Sequence, residues 1–170
     1  MPTNVEIKAR AASWNVQLRT AEELCESSEE LMQEDTFYHC KEGRLKLRVP
    51  ADPGKSELIY YQRPDQEGPK SSRYWTSPVP APHSLKELLS SALGERTVVR
   101  KRRRLFLIGQ TRVHFDEVYG LGRFIELEVC MHPHQTQEQG EAIARDLMAK
   151  LHIAESDLLQ GAYADMRPHG

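Results

Sequence analysis

Asn4-Val-Glu-Ile-Lys-Ala-Arg10 alternates strictly: Val5, Ile7 and Ala9 fall on one face of an extended segment, and Glu6, Lys8 and Arg10 fall on the other. The same two-residue period returns in Arg44-Leu-Lys-Leu-Arg48, which puts Lys46 and Arg48 on the charged face. Thr97 to Ile108 reads as a long strand containing Arg100-Lys-Arg-Arg-Arg104. Gly109-Gln110 turns it into Thr111 to Val118, which carries Asp116, and Gly120-Leu-Gly122 turns again into Arg123 to Met131, which carries Glu126 and Glu128. A single strand of this kind ordinarily puts its charges into water. Here charged faces recur on separate strands, while amphipathic helices need an apolar sheet face to cover. One economical arrangement is a barrel with helices outside and a wet, charged interior that holds a small ligand. An open sheet with its charges in solvent would show the same alternation.

The remaining elements complete an α+β reading with about eight strands. Ala12 to Glu26 is predicted as a helix with Trp14, Leu18 and Leu24 inward, and Leu31 to Cys40 as a strand. Glu57 to Arg63 is β-rich and stops at Pro64, and the loop Asp65 to Ser71 leads to a further strand over Arg73 to Val79. His83 to Leu93 reads as a helix ended by Gly94. Thr136 to Leu151 is helical, with Ile143, Leu147 and Leu151 at helical spacing, and a short helix follows near Ser156 to Leu159. No repeat or linker interrupts the chain, so residues 1–170 are expected to form one domain.

Composition narrows the class. With 39% hydrophobic and 28% charged residues the chain is globular rather than disordered, and 170 residues can bury about two thirds of the unfolded surface without disulfides. Cys25, Cys40 and Cys130 are odd in number, far apart and outside any Cys/His metal spacing, which predicts reduced thiols and no zinc. The opening MPTNVEIKAR lacks the apolar core of a signal peptide, and no stretch approaches a membrane span. A cytoplasmic location is the expectation.

Arginine and lysine on charged strand faces suit a polyanion, because guanidinium forks match phosphate oxygens and ammonium groups act as point charges. Carboxylates among them would repel that polyanion unless a hard cation stood between. Mg²⁺ takes one or two carboxylates together with substrate phosphates and water, so both signs in one cavity point to metal-assisted phosphate chemistry.

The motifs resemble a known family. Val5-Glu-Ile-Lys8 resembles the Glu-x-Glu-x-Lys opening of the CYTH proteins, or triphosphate tunnel metalloenzymes. Leu45-Lys-Leu-Arg48, Lys101-Arg-Arg103, and Phe115-Asp116 followed by Gly120-Leu-Gly-Arg-Phe-Ile-Glu-Leu-Glu128 come in the family's order, the last segment resembling the branch related to class IV adenylyl cyclases. The resemblance implies a closed eight-stranded antiparallel β-barrel, a tunnel with helices packed outside, that grips a triphosphate and holds Mg²⁺ or Mn²⁺. By position, Glu6 matches the second glutamate of the opening motif and Lys8 its lysine. Glu6, Asp116, Glu126 and Glu128 are the implied metal positions. Lys46, Arg48, Arg63, Lys101 and Arg103 match basic positions, and Lys8 and Arg10 join them in the expected substrate-binding set. Glu6, Lys8, Lys101 and Arg103 are expected to carry the catalysis. Alternation alone would not choose Lys101 and Arg103 over Arg100, Arg102 and Arg104. Asn4 departs from the motif, whose first glutamate it replaces, and this bears on whether a second metal binds.

The implied function is metal-dependent hydrolysis of a linear inorganic or organic triphosphate. A class IV-type adenylyl cyclase, which turns ATP into cyclic AMP and pyrophosphate, is the alternative, and a non-catalytic phosphate-ligand module is a third reading. The expected partner is the small-molecule triphosphate; a membrane is not expected, and a homodimer is left open. Nucleic-acid binding through Arg100–Arg104 is disfavoured, because alternation should split that run between two faces. His132 and His134 read as a solvated turn, Tyr60, Tyr61, Tyr74 and Trp75 as packing residues, and Tyr163 as a cap on one tunnel mouth.

Overall fold

The computed structural model describes residues 3–166. Eight strands run β1 (Thr3–Arg10), β2 (Ser27–Tyr38), β3 (Arg44–Pro50), β4 (Glu57–Gln62), β5 (Lys70–Pro78), β6 (Glu95–Ile108), β7 (Thr111–Val118) and β8 (Gly122–Cys130). They close into a barrel in the order β1-β5-β4-β3-β2-β6-β7-β8, with every neighbouring pair antiparallel. Closure leaves no free sheet edge, which settles the barrel against the open sheet.

Three helices lie outside: α1 (Trp14–Leu24), α2 (Pro82–Leu93) and α3 (Gln137–Lys150). Apolar strand faces pack under them. Val5, Ile7 and Ala9 of β1, Ile125, Leu127 and Val129 of β8, and Val113 and Phe115 of β7 pack with Ala144, Leu147 and Met148 of α3 and Ala21 of α1. A Thr136–Gln139 capping box starts α3. Gly140 lets that helix approach β1, since a Cβ there would stand 2.7 Å from Val5 Cγ2 and 2.5 Å from Met131 Sδ. On the opposite side α2 packs Leu85 and Leu89 against Tyr38, Leu47 and Val79.

Besides shifts in strand limits, a helix face and the C-terminal segment differ from the sequence expectation. In α1 the fully buried residues are Gln17 and Ala21, whereas Trp14 and Leu18 are partly covered and Leu24 is exposed. Gln17 tolerates burial because its Oε1 accepts from Ser13 N (3.1 Å) and its Nε2 donates to the His152 carbonyl (3.2 Å). The second difference is at the C-terminus: the expected helix over Ser156–Leu159 is a single 3₁₀ turn, Glu155–Asp157. From there Leu158 bridges to Ala9 and Leu159 N bonds the Lys8 carbonyl, so the chain crosses one end of the barrel. Tyr163 then seats among Phe37, Val99, Val118, Leu121 and Phe124 and plugs that end, as the sequence reading anticipated. Among the described residues no helix is long and apolar enough to cross a membrane.

Candidate functional site

The polar half of the alternation encloses a cavity of about 340 Å³. Its wall divides by strand. Asn4, Glu6 and Lys8 of β1 stand beside Glu126 and Glu128 of β8 and Arg112 and His114 of β7. Lys101 and Arg103 of β6, Asp35 of β2, and Lys46 and Arg48 of β3 form a mainly cationic face. Tyr61 and Arg63, from β4 and just after it, join Ser72, Tyr74 and Thr76 of β5 in a third face rich in hydroxyls. Tyr163 and Ala162 close one end. A groove of about 1130 Å³ lies outside the barrel between α2 and the β7–β8 turn. It is larger but open, and its Arg100 and Lys86 are both paired to Glu34, so the enclosed cavity is the better site.

Buried carboxylates hold the cations in place. Arg103 grips Asp116 with two parallel bonds of 2.7 Å each, and the Tyr163 hydroxyl donates to the same carboxylate at 2.7 Å. Asp116 is fully buried behind Arg103. Asp35 takes Arg48 through two bonds of 2.8 Å, Lys101 at 2.9 Å and Lys46 at 3.4 Å. Burial alone would raise the Asp35 carboxyl, but Arg48, Lys101 and Lys46 hold it well below the usual carboxylate range. Burial lowers the Lys101 ammonium to about 8 against the opposing pull of Asp35.

The acidic face is looser. Glu6 pairs with Arg63 at 2.7 Å, and Glu126 lies 3.2 Å from Lys8 and 3.6 Å from Arg103. Burial opposes ionisation of Glu126, yet the charges on Lys8 and Arg103 keep it well below the usual range. Glu128 has Arg112 at 3.7 Å, and burial and then the charge on Glu6 push its carboxyl upward. Lys8 also donates to the Gly161 carbonyl at 3.3 Å and stands 4.0 Å over the Tyr163 ring, and Arg63 donates to the same carbonyl at 2.7 Å. His114 is 2% exposed and both ring nitrogens lack a hydrogen-bond partner; Glu126 is 3.6 Å away, too far for one. Burial and then the Arg103 charge lower its imidazole to about 4.

Most of the residues singled out from sequence meet here. Glu6, Lys8, Lys46, Arg48, Arg63, Lys101, Arg103, Glu126 and Glu128 all line the one cavity, with Asp116 directly behind Arg103. Arg10 does not: it is exposed, beyond Lys8, with its guanidinium over Phe124 at 5.5 Å. Arg100, Arg102 and Arg104 point outward and pair with Glu34, Glu30 and Glu22, so three of the five residues of the basic run are spent on surface ion pairs. Of the four aromatics expected to pack, Tyr60 and Trp75 stack on each other at 5.4 Å, whereas Tyr61 and Tyr74 face the cavity. Asp35 and His114 belong to the site and were not singled out from sequence. Asp35 lies two residues before Phe37 on a strand whose alternation is mixed, and His114 stands between Val113 and Phe115, where a core histidine would read identically.

Among the described residues no group of three His, Cys, Asp or Glu side chains is poised to surround a metal ion. A triphosphate-bound Mg²⁺ needs less, typically one or two carboxylates beside phosphate and water oxygens. Glu128 fits that demand with one neighbouring carboxylate, Glu6 or Glu126: it has a weak cationic partner, and its neighbours' negative charge is relieved by a cation. Asp116 does not fit it, since both its oxygens are engaged by Arg103 and Tyr163.

A closed antiparallel barrel whose interior is lined by paired cations and carboxylates defines a class of tunnel proteins. The sequence profile of the CYTH domain matches residues 2–163, and the chain belongs to that family. No curated protein matches the chain by sequence. Its fold is similar to the PH1012 protein of Pyrococcus horikoshii OT3 (24% identity, 95% of this chain and 98% of that one, TM-score 0.82). It is also similar to a candidate adenylate cyclase of Vibrio parahaemolyticus (19% identity, 94% of each chain, TM-score 0.77). A third similar fold is an adenylyl cyclase candidate of Hippeastrum described as having a dominant triphosphatase activity (13% identity, 97% of this chain and 93% of that one, TM-score 0.65). At these identities the likeness is one of fold.

Proposed function

We propose that the cavity takes a linear triphosphate with a divalent cation, Mg²⁺ or Mn²⁺, and that the protein hydrolyses it. The observation that carries this reading is the charge of the lining: seven lysine and arginine side chains against five carboxylates around about 340 Å³. That surplus favours an anion but falls short of the charge on a triphosphate, and a cation at Glu128 beside Glu6 or Glu126 supplies the difference. When bound, the cation would neutralise charge spreading over the phosphate oxygens.

The protein's own groups do the rest. Lys46, Arg48, Lys101 and Arg103 face the phosphates as donors, and Lys8 and Arg63 stand at the plugged end. Holding the chain of phosphates extended leaves one terminal phosphorus open to water. The water oxygen bonds to that phosphorus as the phosphoanhydride bond breaks, the water's proton passes to solvent, and the electron pair leaves on the bridging oxygen, where a nearby ammonium or guanidinium offsets the new charge. The hydroxyl face made by Tyr61, Ser72, Tyr74 and Thr76 favours a second reading, adenylyl cyclase chemistry, because it could accept an organic group attached to the triphosphate.

The test is phosphate release from inorganic triphosphate, with Mg²⁺ or Mn²⁺, by wild type and Glu126→Gln. Metal-dependent release that falls by about 100-fold or more in the variant is expected. Folded wild type that releases no phosphate but forms cyclic AMP from ATP would replace hydrolysis with the second reading.

A further inference from the structure

Asp35 holds neither the cation nor a phosphate in the proposed hydrolysis. This carboxylate is 1% exposed on β2, opposite Arg48 of β3 and two residues along β6 from Lys101 in register. It gathers three cations of the phosphate-facing wall at 2.8, 2.9 and 3.4 Å. Lys46 and Arg48 remain 13% and 17% exposed and face the cavity, so neither needs Asp35 to escape an unpaired, waterless burial. What Asp35 supplies is a common point of attachment. Without it a lysine and an arginine on β3 and a lysine on β6 would repel one another and spread into the cavity.

The distances from Arg48 and Lys101 to Asp35 are those that a phosphate oxygen would take from the same donors. We propose that Asp35 is a positioning residue: a resident anion that assembles Lys46, Arg48 and Lys101 into a fixed phosphate-receiving face, and in doing so weakens the cavity's grip on polyanions that arrive without a metal ion. The proposal rests on the triphosphate reading of the cavity. It predicts a trade that a merely structural carboxylate would not make. Removing the charge frees three donors, so metal-free anions bind more tightly. The donors are then less well aimed, so turnover slows.

Two measurements on Asp35→Asn test it. Calorimetric titration with inorganic triphosphate in the presence of a chelator should show binding about tenfold tighter than wild type, the order expected for freeing one neighbouring unit charge. Phosphate release with metal should fall about tenfold or more in kcat with KM unchanged or lowered. A folded variant with unchanged or weaker metal-free binding overturns the proposal, as does an unchanged kcat. Should Asp35→Asn fail to fold, Arg48→Lys keeps the charge and removes the two-bond fork. Its kcat should fall by about tenfold with KM within about threefold, and retained kcat with a raised KM would overturn the positioning role. Wild type that binds triphosphate with metal, beside a variant that gains nothing, rejects Asp35 alone. Wild type that binds no triphosphate under any condition rejects the reading of the cavity and this proposal with it.

Discussion

His114 shows how a single side chain ties the cavity to stability. Its ring is buried without a hydrogen-bond partner, and burial with the nearby Arg103 charge lowers its pKa to about 4, against 6.5 when solvated. Between those values the unfolded chain binds a proton that the folded chain refuses, so folding stability rises with pH across that window and is lost on acidification. The shift corresponds to about 2 kcal/mol at pH 5 relative to pH 7. Thermal melts should therefore show wild type losing more stability than His114→Asn between those pH values, and parallel losses would contradict the assignment. Such a residue was not legible in the sequence, because its meaning depends on Arg103 and Glu126 from two other strands. The same holds for Asp35, whose three partners lie on β3 and β6. Glu6, Lys8, Lys101 and Arg103 were legible because the motif order, not their local environment, marks them. Arg10 has the correct face but lies past the end of the cavity, a fact that alternation does not encode.

At the scale of elements, α3 makes a prediction that reverses the usual rule. Replacing an exposed helical glycine by alanine ordinarily stabilises by about 1 kcal/mol. Gly140 is different, because its added methyl would press within 2.7 Å of Val5 Cγ2 in the closed packing between α3 and β1. Met131 can move aside, but Val5 is fully buried and cannot easily. Gly140→Ala is expected to destabilise by about 1–2 kcal/mol in urea titrations; a stabilised variant would mean that α3 can lift away. Where glycine turns bound a strand, element limits follow from sequence, as for β7, found at Thr111–Val118 as expected between Gly109-Gln110 and Gly120-Leu-Gly122. Limits drift where polar residues do the pairing. β2 begins at Ser27 rather than near Leu31, because Ser27 to Glu30 are exposed and are ordered by pairing to Leu107–Arg104 of β6.

The whole molecule is thicker on one side than on the other. β1, β8 and β7 pack their apolar faces under α1 and α3, whereas β5 carries Trp75 outward, 42% exposed, on the stack with Tyr60 of β4. The seam that closes the barrel is correspondingly short: β1 meets β5 over four register positions but meets β8 over seven. Local opening follows the least buried, least paired region, so β5 and its seam should open more readily than β7 and β8. The cavity connects the two sides, because Ser72 and Tyr74 of β5 face the same space as Arg103 and Glu126. A ligand bound there must tie the thin side to the thick one. Amide hydrogen exchange of the free protein should thus be faster in β4 and β5 than in β7 and β8. Addition of Mg²⁺ with a non-hydrolysable triphosphate analogue should slow exchange most in β4, β5 and the β1 seam. Protection confined to β7 and β8 would mean that the ligand does not span the cavity, and the charge-lined tunnel would then be only partly used.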